Sequence, residues 1–143
     1  MIPTPADLSS IHSWLDRWEA SIRARDYEAG RVLFAHEVQS FCTFVNVAYG
    51  LDDLVDQQWR VVWPKTEGFT FSKEGSLIDL SEDRTRAVVA MLWFSFGIDR
   101  SGQKFRREGR ATIVLTRSGV DEEWTAIHTH VSLSAGSTVP SAH

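Results

Sequence analysis

The chain has 143 residues, 43% of them hydrophobic and 24% charged, a composition that predicts one folded domain over residues 1–143 and excludes a disordered chain. The net charge of −4 argues against a nucleic-acid partner, because phosphate neutralisation needs a sustained basic patch, and the basic cluster Lys104, Arg106, Arg107 and Arg110 is short and interrupted by Glu108. No stretch approaches the ~18 apolar residues of a membrane span, and MIPTPADLSS lacks the basic flank and apolar run of a signal peptide, so the expected location is cytoplasmic.

Thr4-Pro5 reads as an N-cap followed by a first-turn proline. Leu8, Ile11, Leu15, Trp18 and Ile22 then recur every three or four residues, one apolar stripe on a helix running to about Arg25. A second, shorter helix is expected from Tyr27 to about Phe34, capped by Asp26. QSFCTFVNVAYG is rich in β-branched and aromatic residues, which predicts a strand over Ser40 to Val47. From Leu51 the pattern is helical again. Leu51, Leu54, Val55, Gln58 and Val62 share a face, Trp59 and Trp63 lie four apart on one side, and Pro64 stops the helix.

The second half reads as strands: Phe69 to Lys73 and Ser76 to Leu80 as one strand interrupted at Gly75, then Arg86 to Ile98, Phe105 to Thr116 and Trp124 to Leu133. DRSG and RSGVDEE make the turns, and the small polar tail, residues 135–143, is expected to fray. Helices gathered first and strands after them predict an α+β fold, with a curved, mostly antiparallel sheet wrapped around helices. The mouth of such a cone is a common small-molecule site.

WTAIHTHVS, Trp124 to Ser132, resembles the Trp-x-x-x-His-x-His-x-Ser signature of SnoaL-like proteins and of calcium/calmodulin-dependent kinase association domains. RDYEA at Arg25 to Ala29 is similar to that family's turn between the first two helices, and AYGLDD at Ala48 to Asp53 to its strand-to-helix glycine. The resemblance spans about residues 8 to 134 and implies the NTF2-like cone. Association domains carry cavity arginines on their sheet strands. On this alignment those places are taken by Trp93, Ile113 and Val131, so the family's manner of holding an anion is not expected, and the cavity should prefer a neutral apolar ligand. Ketosteroid isomerases share the fold and use a cavity Tyr with two Asp. That set finds no match, since Tyr27 and Tyr49 sit at element ends and no Asp lies mid-strand.

Strand alternation places Met91, Trp93 and Ser95 on one face, and likewise Ile113, and Ile127, Thr129 and Val131. With Trp59 and Trp63 these nine are the expected ligand-binding residues. Trp14 and Trp18 are expected to pack the helix. His128 and His130 point the same way, roughly 7 Å apart, but without a third and fourth ligand they predict no metal site. Alternation pairs them with Trp124 on the outer sheet face, where a homodimer contact is expected. Among polar candidates, Asn46, Ser95 and Thr129 do not titrate near neutrality. Asp52 and Asp53 suit a helix's first turn, and Asp99 suits a turn. His36 and Glu37 are placed where they could reach the cavity mouth. The lone Cys42 is expected as an inert buried thiol. The expected function is a binding module holding a small, largely apolar molecule without a cofactor. The alternative is a cofactor-free isomerase, cyclase or dehydratase of the SnoaL or ketosteroid-isomerase kind, acting on a cyclic or polyketide-like substrate.

Overall fold

Thr4 and Asp7 open the first helix, α1 (Pro5–Ala24), with a reciprocal capping box: the Asp7 amide donates to the Thr4 hydroxyl and the Thr4 amide to the Asp7 carboxylate, with Pro5 in the first turn. In this computed structural model, which describes residues 1–138, α1 buries Ile11, Trp14, Leu15, Trp18 and Ile22, and Leu8 is only half-buried. Arg25 ends the helix in the left-handed region, φ 54°. Its guanidinium donates to the Trp63 and Thr66 carbonyls at 3.1 Å each, which ties the end of α1 to the end of the helical segment over residues 51–65. Of the expected frayed tail, residues 139–143 lie outside the described residues.

Asp26 caps α2 (Tyr27–Arg31) by accepting from the Ala29 amide. This helix is shorter than expected, because Phe34 already opens β1 (Phe34–Phe41). The strand expected over Ser40 to Val47 is two strands: β1 ends at Phe41, residues 42–46 turn, and β2 (Val47–Tyr49) folds back antiparallel on β1. The start of β1 escapes a period-two reading because the in-phase position between the buried Phe34 and Val38 is an exposed histidine, His36. A register irregularity between Phe34 and Gln39 breaks the alternation on which strand recognition depends.

The third helical segment begins as α3 (Leu51–Asp53), widens into a π-helical turn (Leu54–Trp59), continues as α4 (Arg60–Val62) and tightens into a 3-10 turn (Trp63–Lys65) that holds Pro64. π-helical turns of this sort recur at functional sites. Then β3 (Thr66–Phe71) and β4 (Leu77–Leu80) pair one after the other along the same edge of β5 (Arg86–Ile98), the interrupted strand that Gly75 signalled. With β6 (Lys104–Thr116) and β7 (Thr125–Leu133) they complete a seven-stranded sheet in the order β2-β1-β7-β6-β5-β3, with β4 on β5. The β1–β7 pair is parallel and the other pairs are antiparallel. α1 and the 51–65 segment cover the face bearing Val89, Met91, Trp93, Ala111, Ile113 and Leu115.

One expected face is corrected. On β7, Ala126 pairs with Leu115 and His128 with Val114, which leaves Ile127 without a β6 partner. The extra residue shifts the alternation. Trp124, Ala126 and Thr129 are all buried, whereas His128 is half-buried and His130 exposed. Trp124 therefore belongs to the core and not to the outer face with the histidines. Its indole N–H donates to Ser10 Oγ at 2.9 Å, and the Arg117 guanidinium lies 4.0 Å from its ring centre.

Candidate binding cavity

Between α1, the 51–65 segment and the concave sheet face lies a cavity of about 60 Å³. The i, i+4 spacing of Trp59 and Trp63 brings their rings together, with centroids 4.5 Å apart and planes at 18°. Gly30 allows α2 to pass over this pair, since a Cβ there would sit 2.9 Å from Trp59 Cζ3. On the sheet side Trp93 stacks on Phe69 at 5.4 Å and 24°. Trp18, Ile22, Leu54 and Val62 complete the apolar lining. Phe41, also in the lining, is 41% exposed, so the cavity reaches the surface there.

The mouth is polar and tied down. Gln58, in the π-helical turn, accepts from the Phe44 and Val45 amides at 2.9 and 3.3 Å and donates to Thr43 Oγ1 at 2.7 Å. The same hydroxyl accepts from Arg107 Nη2 at 2.8 Å. Arg107, only 5% exposed, leans over Trp93 with its guanidinium carbon 5.4 Å from the ring centre. Burial pulls the guanidinium down to about 10, so it remains charged at neutral pH. Half-buried Cys42 lines the mouth. Burial pushes its thiol up to about 11, so it remains protonated.

Of the nine expected binding residues, Trp59, Trp63, Trp93, Thr129 and Val131 line this cavity. Met91, Ser95, Ile113 and Ile127 lie outside the lining. Met91 and Ile113 are closed into the core, Ser95 Oγ donates to the Arg107 carbonyl at 2.7 Å, and Ile127 holds the unpaired bulge position. Trp18, expected only as helix packing, is in the lining. His36, Glu37 and Asn46 are exposed and outside it. Asp52 pairs with Arg31, Asp53 accepts from the Tyr49 amide, and Asp99 accepts within its own turn from Ser101 and Gln103.

The expectation of a cavity without arginine is corrected by Arg107. It lies on β6 at a position different from those aligned with the association-domain arginines. The signal was available: counting back in twos from Ile113 along β6 passes Ala111 and Gly109 to Arg107, all four buried. Treating Lys104, Arg106, Arg107 and Arg110 only as a short basic cluster passes it over. Among the described residues no group of three or more His, Cys, Asp or Glu is placed to hold a metal ion, and no helix is long and apolar enough to cross a membrane.

No family model matches the sequence, and no curated protein matches it. Solved structures do. An NTF2-like superfamily protein from Salmonella enterica serovar Typhimurium superposes with a TM-score of 0.77 at 20% identity, covering 99% of this chain and 100% of that one. A Xanthomonas campestris protein, provisionally assigned as a calcium/calmodulin-dependent protein kinase II association domain, gives 0.74 at 20% identity over 89% of this chain and 87% of that one. A ketosteroid isomerase-like protein from Erwinia carotovora gives 0.73 at 13% identity over 91% of this chain and 98% of that one. These likenesses, together with the helices held in a curved, mostly antiparallel sheet, identify the fold of this chain as the NTF2-like cone.

Proposed function

We propose that the domain holds a small, largely apolar molecule in its cone cavity. The observation that carries this reading is the cavity itself, walled by Trp18, Trp59, Trp63 and Trp93 and open beside Phe41. Large, rigid aromatic walls with a few placed polar groups are the usual make-up of small-molecule sites. Proton-transfer chemistry of the ketosteroid-isomerase kind needs a general base with a pKa near the working pH. The titratable groups of the lining are a charged Arg107 and a protonated Cys42, which favours holding over catalysis. Titration calorimetry with cyclopentanol should show saturable one-to-one binding to the wild type, and Val131→Trp, which fills the cavity from its half-buried rim, should abolish it. Heat that never saturates with the wild type, or binding that survives Val131→Trp, would contradict this reading.

A homodimer through the outer sheet face belongs to the same proposal, without Trp124. That face presents Leu92, 61% exposed, and Phe96. Where β1 lies beside β7 the Phe41 ring meets His128 and His130 edge-on at 5.2 and 5.3 Å. Apolar side chains standing this far out of a sheet mark an interaction surface when they cluster. Sedimentation at micromolar concentration should give a dimer, and Leu92→Glu should return a folded monomer whose melting temperature no longer depends on protein concentration. A monomeric wild type overturns the dimer.

A further inference from the structure

Every other buried polar side chain of the interior has found a partner. Asp7 sits among two arginines and Thr4, Thr129 donates to Ser40 Oγ, and Thr66 donates to the Val62 carbonyl. Among the described residues the buried side-chain nitrogens and oxygens without a partner are Trp18 Nε1 and Arg107 Nε. Both residues line the cone cavity. Both atoms are donors. A buried donor without an acceptor is destabilising, more so when it belongs to a charged group. The cavity lining thus carries a buried guanidinium with one unpaired N–H, to which an acceptor, above all an anionic one, is complementary.

We propose that the ligand of this cavity is a small organic carboxylate, its carboxylate paired with Arg107 at the Thr43–Gln58 rim and its apolar body against Trp59, Trp63 and Trp93. This rests on the cavity being the binding site and adds the chemical class of what it binds. The guanidinium is preorganised for that task. Its Nη2 is held by Thr43, Thr43 is held by Gln58, and the plane is supported by Trp93. Little side-chain freedom remains to be lost on binding. The other buried arginine, Arg117, is already engaged by Asp7. Among the described residues no carboxylate pairs with Arg107, and burial pulls its proton affinity down. A cavity of about 60 Å³ admits a body of roughly four to six non-hydrogen atoms, at about one water-sized site per 10–15 Å³. A single guanidinium neutralises one charge, so monocarboxylates should bind and dicarboxylates should be disfavoured by the second, unpaired charge.

Butyrate and butyramide, alike in size and differing in charge, test this by calorimetry at pH 7 in low-chloride buffer, with wild type and Arg107→Met. Butyrate should bind the wild type at least 10-fold more tightly than butyramide. Arg107→Met should weaken butyrate by about 10- to 100-fold, the worth of a hydrogen bond to a charged group, and leave butyramide and cyclopentanol within about 3-fold. The variant should melt no lower than the wild type, because an apolar side chain of similar length replaces an unpaired buried charge. Equal binding of butyrate and butyramide overturns the carboxylate while the cavity remains a binding site. Failure of all three compounds overturns both readings. If chloride alone competes butyrate away at equal concentration, the site is one for an inorganic anion and the organic carboxylate is wrong. A marked loss of stability in Arg107→Met would make the guanidinium a structural member and would equally defeat the proposal.

Discussion

Asp7→Asn is expected to lower the unfolding free energy by about 3–5 kcal/mol, the usual result of removing one partner from a buried ion pair, and the melting temperature by roughly 10–20 °C. Asp7 is 1% exposed. Its carboxylate accepts from Arg84 Nε and Nη2 at 2.9 and 3.0 Å, from Arg117 Nη2 at 2.9 Å, and from both the amide and hydroxyl of Thr4. Arg117 in turn donates to the Arg84 carbonyl and stacks on Trp124. The network ties the start of α1 to the turn before β5 and to the end of β6. Asparagine keeps an oxygen for the cap but removes the charge, leaving the Arg117 side chain buried without its counter-ion. The hydrogen bonds from Arg84, followed in smaller part by those from Thr4 and Arg117, hold the carboxyl well below the usual carboxylate range against the opposing effect of burial. A depressed folded-state pKa contributes stability that is fully present above the unfolded value, about 3.9, and is lost as pH falls through the folded one. Urea unfolding from pH 7 to pH 2 should therefore show a wild-type advantage that is constant down to about pH 5 and then shrinks. An equal slope for the two proteins below pH 4 would assign the acid sensitivity to other carboxylates.

The parts of the fold that were legible in the sequence are those where one local rule operates without interruption. Thr4-Pro5 with the Ile11, Leu15, Trp18, Ile22 stripe yields α1, and the alternation of Arg86 to Ile98 yields β5 residue for residue. The losses come where an irregularity resets the count. The bulge at Ile127 moves Trp124 from the expected outer face into the core, and no single-sequence period carries information about an inserted residue. The start of β1 is not legible, because His36 is exposed between Phe34 and Val38 and the register slips between Phe34 and Gln39. The cavity shows the same division. The tryptophan walls follow from helical spacing and strand alternation. The polar rim does not, because Thr43, Gln58 and Arg107 come from a turn, a helix and a strand that only the tertiary fold brings together. Arg107 is within reach of alternation, but a charged residue is rarely fully buried, so its place in the interior is not what composition favours.

Trp93→Arg is expected to be the most damaging single change, with a loss at or above the top of the roughly 3–5 kcal/mol range for deleting a large buried aromatic. Trp93 is 1% exposed and stands directly opposite Gly109 on β6. The missing side chain at Gly109 makes room for it: a Cβ there would lie 2.8 Å from Trp93 Cζ2 and 1.8 Å from the Ser132 carbonyl oxygen. The indole fills that space, donates to the Arg110 carbonyl at 3.1 Å, stacks on Phe69 and supports the Arg107 guanidinium. Arginine would empty the space over Gly109, drop the stacking and place a second positive charge beside the first in an interior that offers neither a counter-ion. It would also restore a charge where the association-domain alignment places one, so the outcome tests that alignment as well. Urea unfolding should find the variant largely unfolded or at least about 4 kcal/mol less stable, with cyclopentanol binding lost. Trp93→Phe, which keeps an aromatic wall, should retain binding and lose about 1–3 kcal/mol. A Trp93→Arg protein of wild-type stability that still takes up cyclopentanol would remove Trp93 from the cavity wall and with it the pairing of β5 and β6 on which this site is built.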